Sequence, residues 1–290
     1  MNSVIWLPVP LSVRTDPVSG GRWTSLRSFE REWLWTNPDS ESASARMRVV
    51  PGDAFVDAGG AEECFPSVRG NPDHGDAWTR TWSTDGAKHT VDVPQVGRLS
   101  RCIRGDNPVV VDYEVTGRPG TPFLHALHTL LDLSSTARLS IPGSPRITVL
   151  DVDDPERQWP SGLDQLGPDD GTAICALVRG CHEVSVVDGE YVLRFIWDSE
   201  DTPKLCSLLL WRNLGGWPPQ RPYRSIGVEP MVGRAADLST ADLNDCARIG
   251  PLGHFRWVLK LSCARVVHSQ GAADSMQAQD AQLSGVTRDS

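Results

Sequence analysis

"VVDGEYVLRFIWD", residues 186–198, reads as strand, turn and strand. Tyr191, Leu193, Phe195 and Trp197 recur at every second position, which puts all four on one face of an extended segment. Asp188-Gly189 supplies the hairpin turn just ahead of that strand. The pattern spreads in both directions. "RCIRGDNPVVVDYEVTG" (101–117) reads as two strands around a Gly-Asp-Asn-Pro turn, and "ARLSIPGSPRITVLDV" (137–152) repeats the theme around Pro-Gly. "KLCSLLLWRN" (204–213) is an apolar run of buried-strand length. "FRWVLKLSCARVV" (255–267) alternates Trp257, Leu259, Leu261 and Cys263 with Arg256, Val258, Lys260 and Ser262, a strand with one wet face. One helix signal stands out, "LSTADLNDCARIG" (238–250), where Ser239 and Asp242 form a loose capping box and Gly250 can end the turn. Many strands with almost no helix predict an all-β chain, a large antiparallel β-sandwich.

The bulk numbers bound the function. The chain has 290 residues and 39% apolar content, enough for one domain over residues 1–267. The tail 268–290 lacks periodicity and large apolar residues and reads as disordered. A net charge of −9 with no basic cluster argues against a nucleic-acid or anionic-membrane partner. Seven scattered cysteines without a C-x-x-C pair give no zinc ribbon or redox motif. "MNSVIWLPVPLSVR" lacks a basic start and an unbroken apolar core, so a cytoplasmic protein with reduced thiols is expected. Eleven Trp against 3 Tyr and 6 Phe is a skewed aromatic set. Most of these indoles are expected in the core, and some suit the stacking of sugar C–H faces in a cleft.

Three stretches can carry chemistry. "GGAEECFPSVRGNPDHGDAW" (59–78) holds His74 among Gly, Pro, Asn and Asp, a composition that makes a loop, and Gly75 beside it leaves room for a ligand to approach. Trp78 and Trp82 follow. "TPFLHALHTLLDL" (121–133) carries His125 and His128. On a helix this i, i+3 pair would share a face and could hold a metal; on the strand that the context favours, the odd offset sends them to opposite faces. "LLLWRNLGGWPPQRPYRSIGVEPMVGR" (208–234) sets Glu229 among Ile226, Val228, Pro230 and Met231. A carboxylate there is either paired, with Arg212 or Arg224 as candidates, or its pKa rises toward that of a general base.

Together, "ECFPS…DHGDAW", "PFLHALHTLL" and "LLLWRNLGGWP…IGVEPMVG" resemble the aldose 1-epimerase (galactose mutarotase)-like family, in its shorter, less characterised branch, over about residues 33–263. The resemblance implies a large antiparallel sandwich with a sugar cleft on one sheet. It implies anomer interconversion of aldoses by acid–base ring opening, with neither metal nor redox cofactor. It implies Glu229 as base, His128 as acid and His74 as the second histidine. Arg69 and Asp164 match an arginine and an aspartate that grip the sugar, and Trp78, Trp211 and His125 stand at substrate-binding positions. Two departures bear on the substrate: His125 replaces a common tryptophan, and Thr129 a common proline.

The expected partner is a small molecule, a sugar, with the chain acting as monomer or homodimer. A phosphorylated sugar would need cations at the cleft rim, for which Arg80, Arg212, Arg221 and Arg224 are candidates. A non-catalytic sugar-binding module and a biosynthetic isomerase or cyclase acting on a non-sugar are the alternatives.

Overall fold

The computed structural model describes residues 4–199 and 202–268. Two large antiparallel sheets, of nine and ten strands, pack face to face. The 186–198 stretch is the expected hairpin. Strands Glu183–Asp188 and Tyr191–Asp198 pair with Asp188 opposite Tyr191, so the turn proper is Gly189-Glu190, one residue later than the sequence signal. Leu193, Phe195 and Trp197 are buried in the shared core, and Tyr191 is half-buried at its edge. The His254–His268 strand alternates as read and pairs with Tyr191–Asp198 on one side and Val109–Gly117 on the other. The expected tail, 268–290, lies outside the described residues except for His268, which ends this strand.

Two local expectations fail for identifiable reasons. Arg138–Ser140 and Arg146–Val149 do not form a hairpin: the first joins the nine-stranded sheet and the second the ten-stranded one, so the Pro-Gly segment crosses between layers. Residues 238–250 form no helix but turns and the two-residue strand Ala247–Arg248. Asp237 accepts hydrogen bonds from the Ser239 amide and hydroxyl, and Asp242 accepts one from the Asn244 amide. These side chains give the backbone local partners that compete with helical ones. A short helix forms instead at Ser40–Arg46, where the Asp39 side chain accepts from the Glu41 amide.

The ten-stranded sheet carries, side by side, the strands Thr172–Arg179, Cys206–Trp217, Tyr223–Val232, His125–Leu131 and Ala61–Cys64. Their two faces differ. Leu127, Leu131, Leu208, Leu210, Ile226 and Val228 enter the inter-sheet core, whereas Cys64, Ala126, Leu177, Leu209 and Met231 build a second apolar cluster on the other face. Loops bring Val68, Leu124 and Cys246 onto that outer cluster.

One polar network lies within the inter-sheet layer. Glu63 is fully buried and accepts from Arg101 at 2.5 Å and from the Tyr113 hydroxyl at 3.1 Å. His125 Nε2 lies 2.9 Å from the other Glu63 oxygen, and the Trp257 indole N–H donates to His125 Nδ1 at 3.1 Å. Because Trp257 can only donate, Nδ1 accepts, and the proton sits on Nε2 toward Glu63. Each member has at least one partner within the group, and Arg101 also donates to the Gly21 carbonyl while its Nε has no partner among the described residues. Glu63→Ala leaves Arg101 uncompensated and is expected to cost about 3–5 kcal/mol of stability. Urea unfolding of the two proteins measures this, and a loss below about 1 kcal/mol would show that the network does not hold the sheets.

Candidate functional site

The site follows from strand register. His128 pairs with Glu62 on one side. On the other, it stands between the pairs Ala126–Met231 and Leu130–Gly227, which sets it opposite Glu229. Glu229 in turn pairs with Leu209 and Leu209 with Leu177. One cross-strand row on the outer face thus reads Glu62, His128, Glu229, Leu209, Leu177. Directly opposed side chains in an antiparallel sheet are near neighbours, and His128 Nε2 lies 3.6 Å from Glu229 Oε1. Gly227 makes room for this carboxylate, since a Cβ there would lie 2.5 Å from Glu229 Oε1 and 2.8 Å from Trp211 Cβ.

Glu62 is held at the end of the row. Arg46, from the short helix, donates to both its oxygens at 2.8 and 2.9 Å, and also to the Trp78 carbonyl at 2.8 Å. That carbonyl belongs to the loop that presents His74. His74 has φ +62°, and its amide donates to the Val68 carbonyl at 3.2 Å. Its ring stacks on Phe55 at 3.6 Å and meets His128 edge-on at 4.8 Å. Its Nδ1 lies 3.2 Å from an Asp73 carboxylate oxygen. Gly75 does not open space for a ligand: it presses on the loop's own backbone, and a Cβ would lie 2.3 Å from the Phe65 carbonyl oxygen.

These groups line a cleft of about 490 Å³. Glu229, His128, His74, Arg69 and Trp211 all face it, together with Phe55, Asp57, Asp73, Asp151 and Trp217. Asp57 is held by the Tyr223 hydroxyl at 2.5 Å and the Gly59 amide at 3.0 Å. Its burial pushes its pKa up. Burial raises Glu229 well above its ordinary 4.5, with the charge of Asp57 adding to the effect and that of Arg69 opposing it. Burial lowers His128 well below its ordinary 6.5, with His74 adding to the effect. Glu229 Oε2 and His128 Nδ1 are buried and have no hydrogen-bond partner among the described residues. The arrangement places an acid–base pair and two unpartnered polar atoms on the floor of one cleft.

No protein-family model and no curated protein matches the chain. Solved structures do. A candidate aldose 1-epimerase of Escherichia coli K12 aligns over 92% of this chain and 100% of its own, with 15% identity and a TM-score of 0.65. A galactose mutarotase related enzyme of Lactobacillus acidophilus aligns over 90% and 97%, with 14% identity and a TM-score of 0.60. A galactose mutarotase-like protein of Lactobacillus casei ATCC 334 aligns over 90% and 100%, with 12% identity and a TM-score of 0.59. This chain has the galactose mutarotase-like fold.

Within the mutarotase-like fold, three candidate binding residues sit away from the cleft. His125 points to the inter-sheet layer, as an odd offset from His128 requires, and is committed to Glu63 and Trp257. Trp78 is fully buried under the His74 loop, where its indole N–H donates to the Gly75 carbonyl at 2.9 Å. Asp164 is half-buried and does not line the cleft; its carbonyl accepts from the Leu139 amide, in a strand of the other sheet. Neither Arg212 nor Arg224 pairs with Glu229. Arg212 binds the Leu166 carbonyl and the Thr172 hydroxyl, and Arg224 binds Asp169.

The sequence reading did not single out Phe55, Asp57, Asp73, Asp151 or Trp217. Asp57 stands in a Gly-rich stretch with no periodicity to mark it. His182, Asp198 and Cys206 bring three potential metal ligands within 4.8 Å of one another elsewhere in the fold, and this group shares no residue with the cleft. Among the described residues, no helix is long and apolar enough to cross a membrane.

The raised pKa of Glu229 makes a stability prediction. The unfolded chain ionises this carboxyl above about 4.5, while the folded protein keeps it protonated, so rising pH favours unfolding until the folded value is passed. Glu229→Gln has nothing to ionise. The variant is expected to be the more stable protein at pH 7, by about 1.4 kcal/mol per unit of elevation, with the difference closing as pH falls below 4.5. Thermal unfolding of both proteins from pH 4 to 8 reads this directly, and a gap independent of pH would mean that Glu229 is ionised in the fold.

Proposed function

We propose that the chain is an aldose epimerase that interconverts anomers by acid–base ring opening. The observation that carries this reading is the 3.6 Å separation of His128 Nε2 and Glu229 Oε1 on the cleft floor. The anomeric hydroxyl and the ring oxygen of an aldose hang on the same carbon. A base serving one and an acid serving the other must therefore stand close together, within reach of one ring.

In the proposed reaction the base takes the proton of the anomeric hydroxyl. Its oxygen forms the aldehyde double bond to C1, the bond from C1 to the ring oxygen breaks, and the acid protonates the departing oxygen. Rotation about C1–C2 turns the other carbonyl face toward that oxygen, and the same transfers in reverse close the ring. The cycle returns both protons, so the pair needs one proton between them. Burial favours the form with neutral imidazole and protonated carboxyl. The roles carried over by resemblance, Glu229 as base and His128 as acid, start from the form in which that proton has crossed to His128. His74 stacks on Phe55 beside the pair, and in this reading it supports the ring-opened oxygen. Asp57 is one of the cleft carboxyls that could accept from a sugar hydroxyl, a role for which Asp164 is out of position. Trp211 and Trp217 offer indole surface to sugar C–H faces. Mutarotation is facile in water, so one acid and one base worth about 10²–10⁴-fold each suffice.

A second reading draws on the apolar side of the cleft, where Val68, Val149, Leu150, Ile174 and Leu209 meet. A biosynthetic isomerase or cyclase could use the same pair on a non-sugar substrate there. Anomer exchange followed by NMR on a panel of aldoses separates the two. Exchange above the buffer rate, reduced at least about 10²-fold in Glu229→Gln, supports the epimerase. A folded protein that accelerates no sugar turns the assignment to the second reading.

The pair also predicts a bell-shaped pH dependence. Activity falls at acid pH only below the ordinary histidine range, when the pair takes up a second proton. It falls at alkaline pH only above the ordinary carboxylate range, when the pair loses its single one. A single sigmoid centred near 6.5 would contradict a one-proton pair.

A further inference from the structure

Resting on the epimerase reading, we propose that the cleft takes uncharged aldoses, and that the Arg69–Asp151 ion pair at its mouth keeps phosphorylated ones out. The cleft is lined by four carboxyl groups, Asp57, Asp73, Asp151 and Glu229, and by one guanidinium, that of Arg69. Arg69 is already matched. Its Nη1 lies 2.9 Å from Asp151 Oδ2, and both side chains are solvent-accessible, 41% and 70% exposed. A phosphate arriving at the mouth meets an arginine whose charge is already matched by Asp151 through Nη1.

The pair is held from both sides. The Arg69 amide donates to the Ala236 carbonyl at 2.7 Å, and Gly70 packs against the Asp237 carboxylate, where a Cβ would lie 2.5 Å from its oxygen. Asp151 sits at φ +61° on the turn that follows the strand Arg146–Val149. Other nearby arginines are spoken for and face elsewhere. Arg22 binds the Ala58 and Gly59 carbonyls, Arg80 binds Asp76, Arg221 binds Asp39 and Glu41, and Arg224 binds Asp169. None of the rim cations that a phosphosugar would require lines the cleft. Asp73, 3.2 Å from His74, adds a second fixed negative group beside the pair. These carboxylates disfavour an anion at the cleft mouth by like-charge repulsion.

The test is anomer exchange by NMR on matched pairs, each free aldose beside its 6-phosphate, with the wild type and Asp151→Asn. The wild type is expected to accelerate free aldoses and to leave the 6-phosphates near the buffer rate. In Asp151→Asn, the ratio of kcat/KM for phosphate over parent sugar is expected to rise at least tenfold, because Arg69 is then unmatched. A wild type that prefers the 6-phosphate, or a ratio unmoved by the substitution, overturns the proposal. Binding of the same pairs, read by quenching of tryptophan fluorescence, keeps the test independent of turnover: tighter binding of the 6-phosphate by the wild type overturns charge selection even where exchange is absent. If sugars of neither kind bind or exchange, the epimerase reading itself fails, and the selectivity proposal falls with it.

Discussion

The buried carboxylate of Glu63 is the constraint on which the site depends. It is fully enclosed between the two sheets and is met, among the described residues, by Arg101, Tyr113 and His125, which reach it from three other strands. Sliding the His125–Leu131 strand by one residue would turn His125 outward, strand Glu63 without its imidazole, and turn His128 inward into the apolar layer. The polar group inside therefore fixes which histidine faces outside. Ionic groups buried in this way add little net stability when complete, and their value lies in the penalty for any arrangement that breaks them.

Electrostatics then divides the labour on the outer face. Glu62, one strand over from His128, is gripped by Arg46 through two hydrogen bonds. Glu229, on the other side of His128, has no arginine against it and one oxygen without a partner. Burial raises the pKa of both glutamates in this cross-strand row, but at Glu62 the guanidinium of Arg46 opposes the effect and ties the short helix and the His74 loop to the sheet, whereas Glu229 has no such partner and is driven further toward its protonated form. The difference is the location of Arg46, delivered by a helix with no strand pairing of its own. Trp78 belongs to this support. It holds the loop through the Gly75 carbonyl and stays beneath the cleft. The cleft itself combines carboxyl groups, two histidines and a matched arginine with an apolar wall. That is a lining suited to hydrogen bonding and stacking of an uncharged molecule more than to gripping an anion.

Sequence reasoning recovered the architecture where side-chain alternation was strong. The strands at 191–198 and 254–268 repeat every second residue because one face must be buried and the other wetted, and that need is written locally. It failed where local hydrogen bonding competed with periodicity, as at Asp237 and Asp242, and where a turn signal said nothing about which sheet the next strand would join, as at Pro142-Gly143. For the site, polar residues set in apolar runs were visible as anomalies, which is how Glu229, His128 and His125 stood out. Asp57 and Phe55 carried no such contrast, lying in a stretch of small and polar residues.

By itself, then, the sequence determined that the chain is all-β, which positions alternate toward a core, and that His125 and His128, an odd number of residues apart on a strand, face opposite ways. Only the tertiary structure decided that His128 stands opposite Glu229, that Asp57 joins them, and that Asp151 neutralises Arg69. The reason is physical. The direction of a side chain on a strand is set by its own backbone with a period of two, whereas its cross-strand partner is set by a register between segments about one hundred residues apart. That register is chosen by the burial of both faces together and leaves no mark in either segment alone.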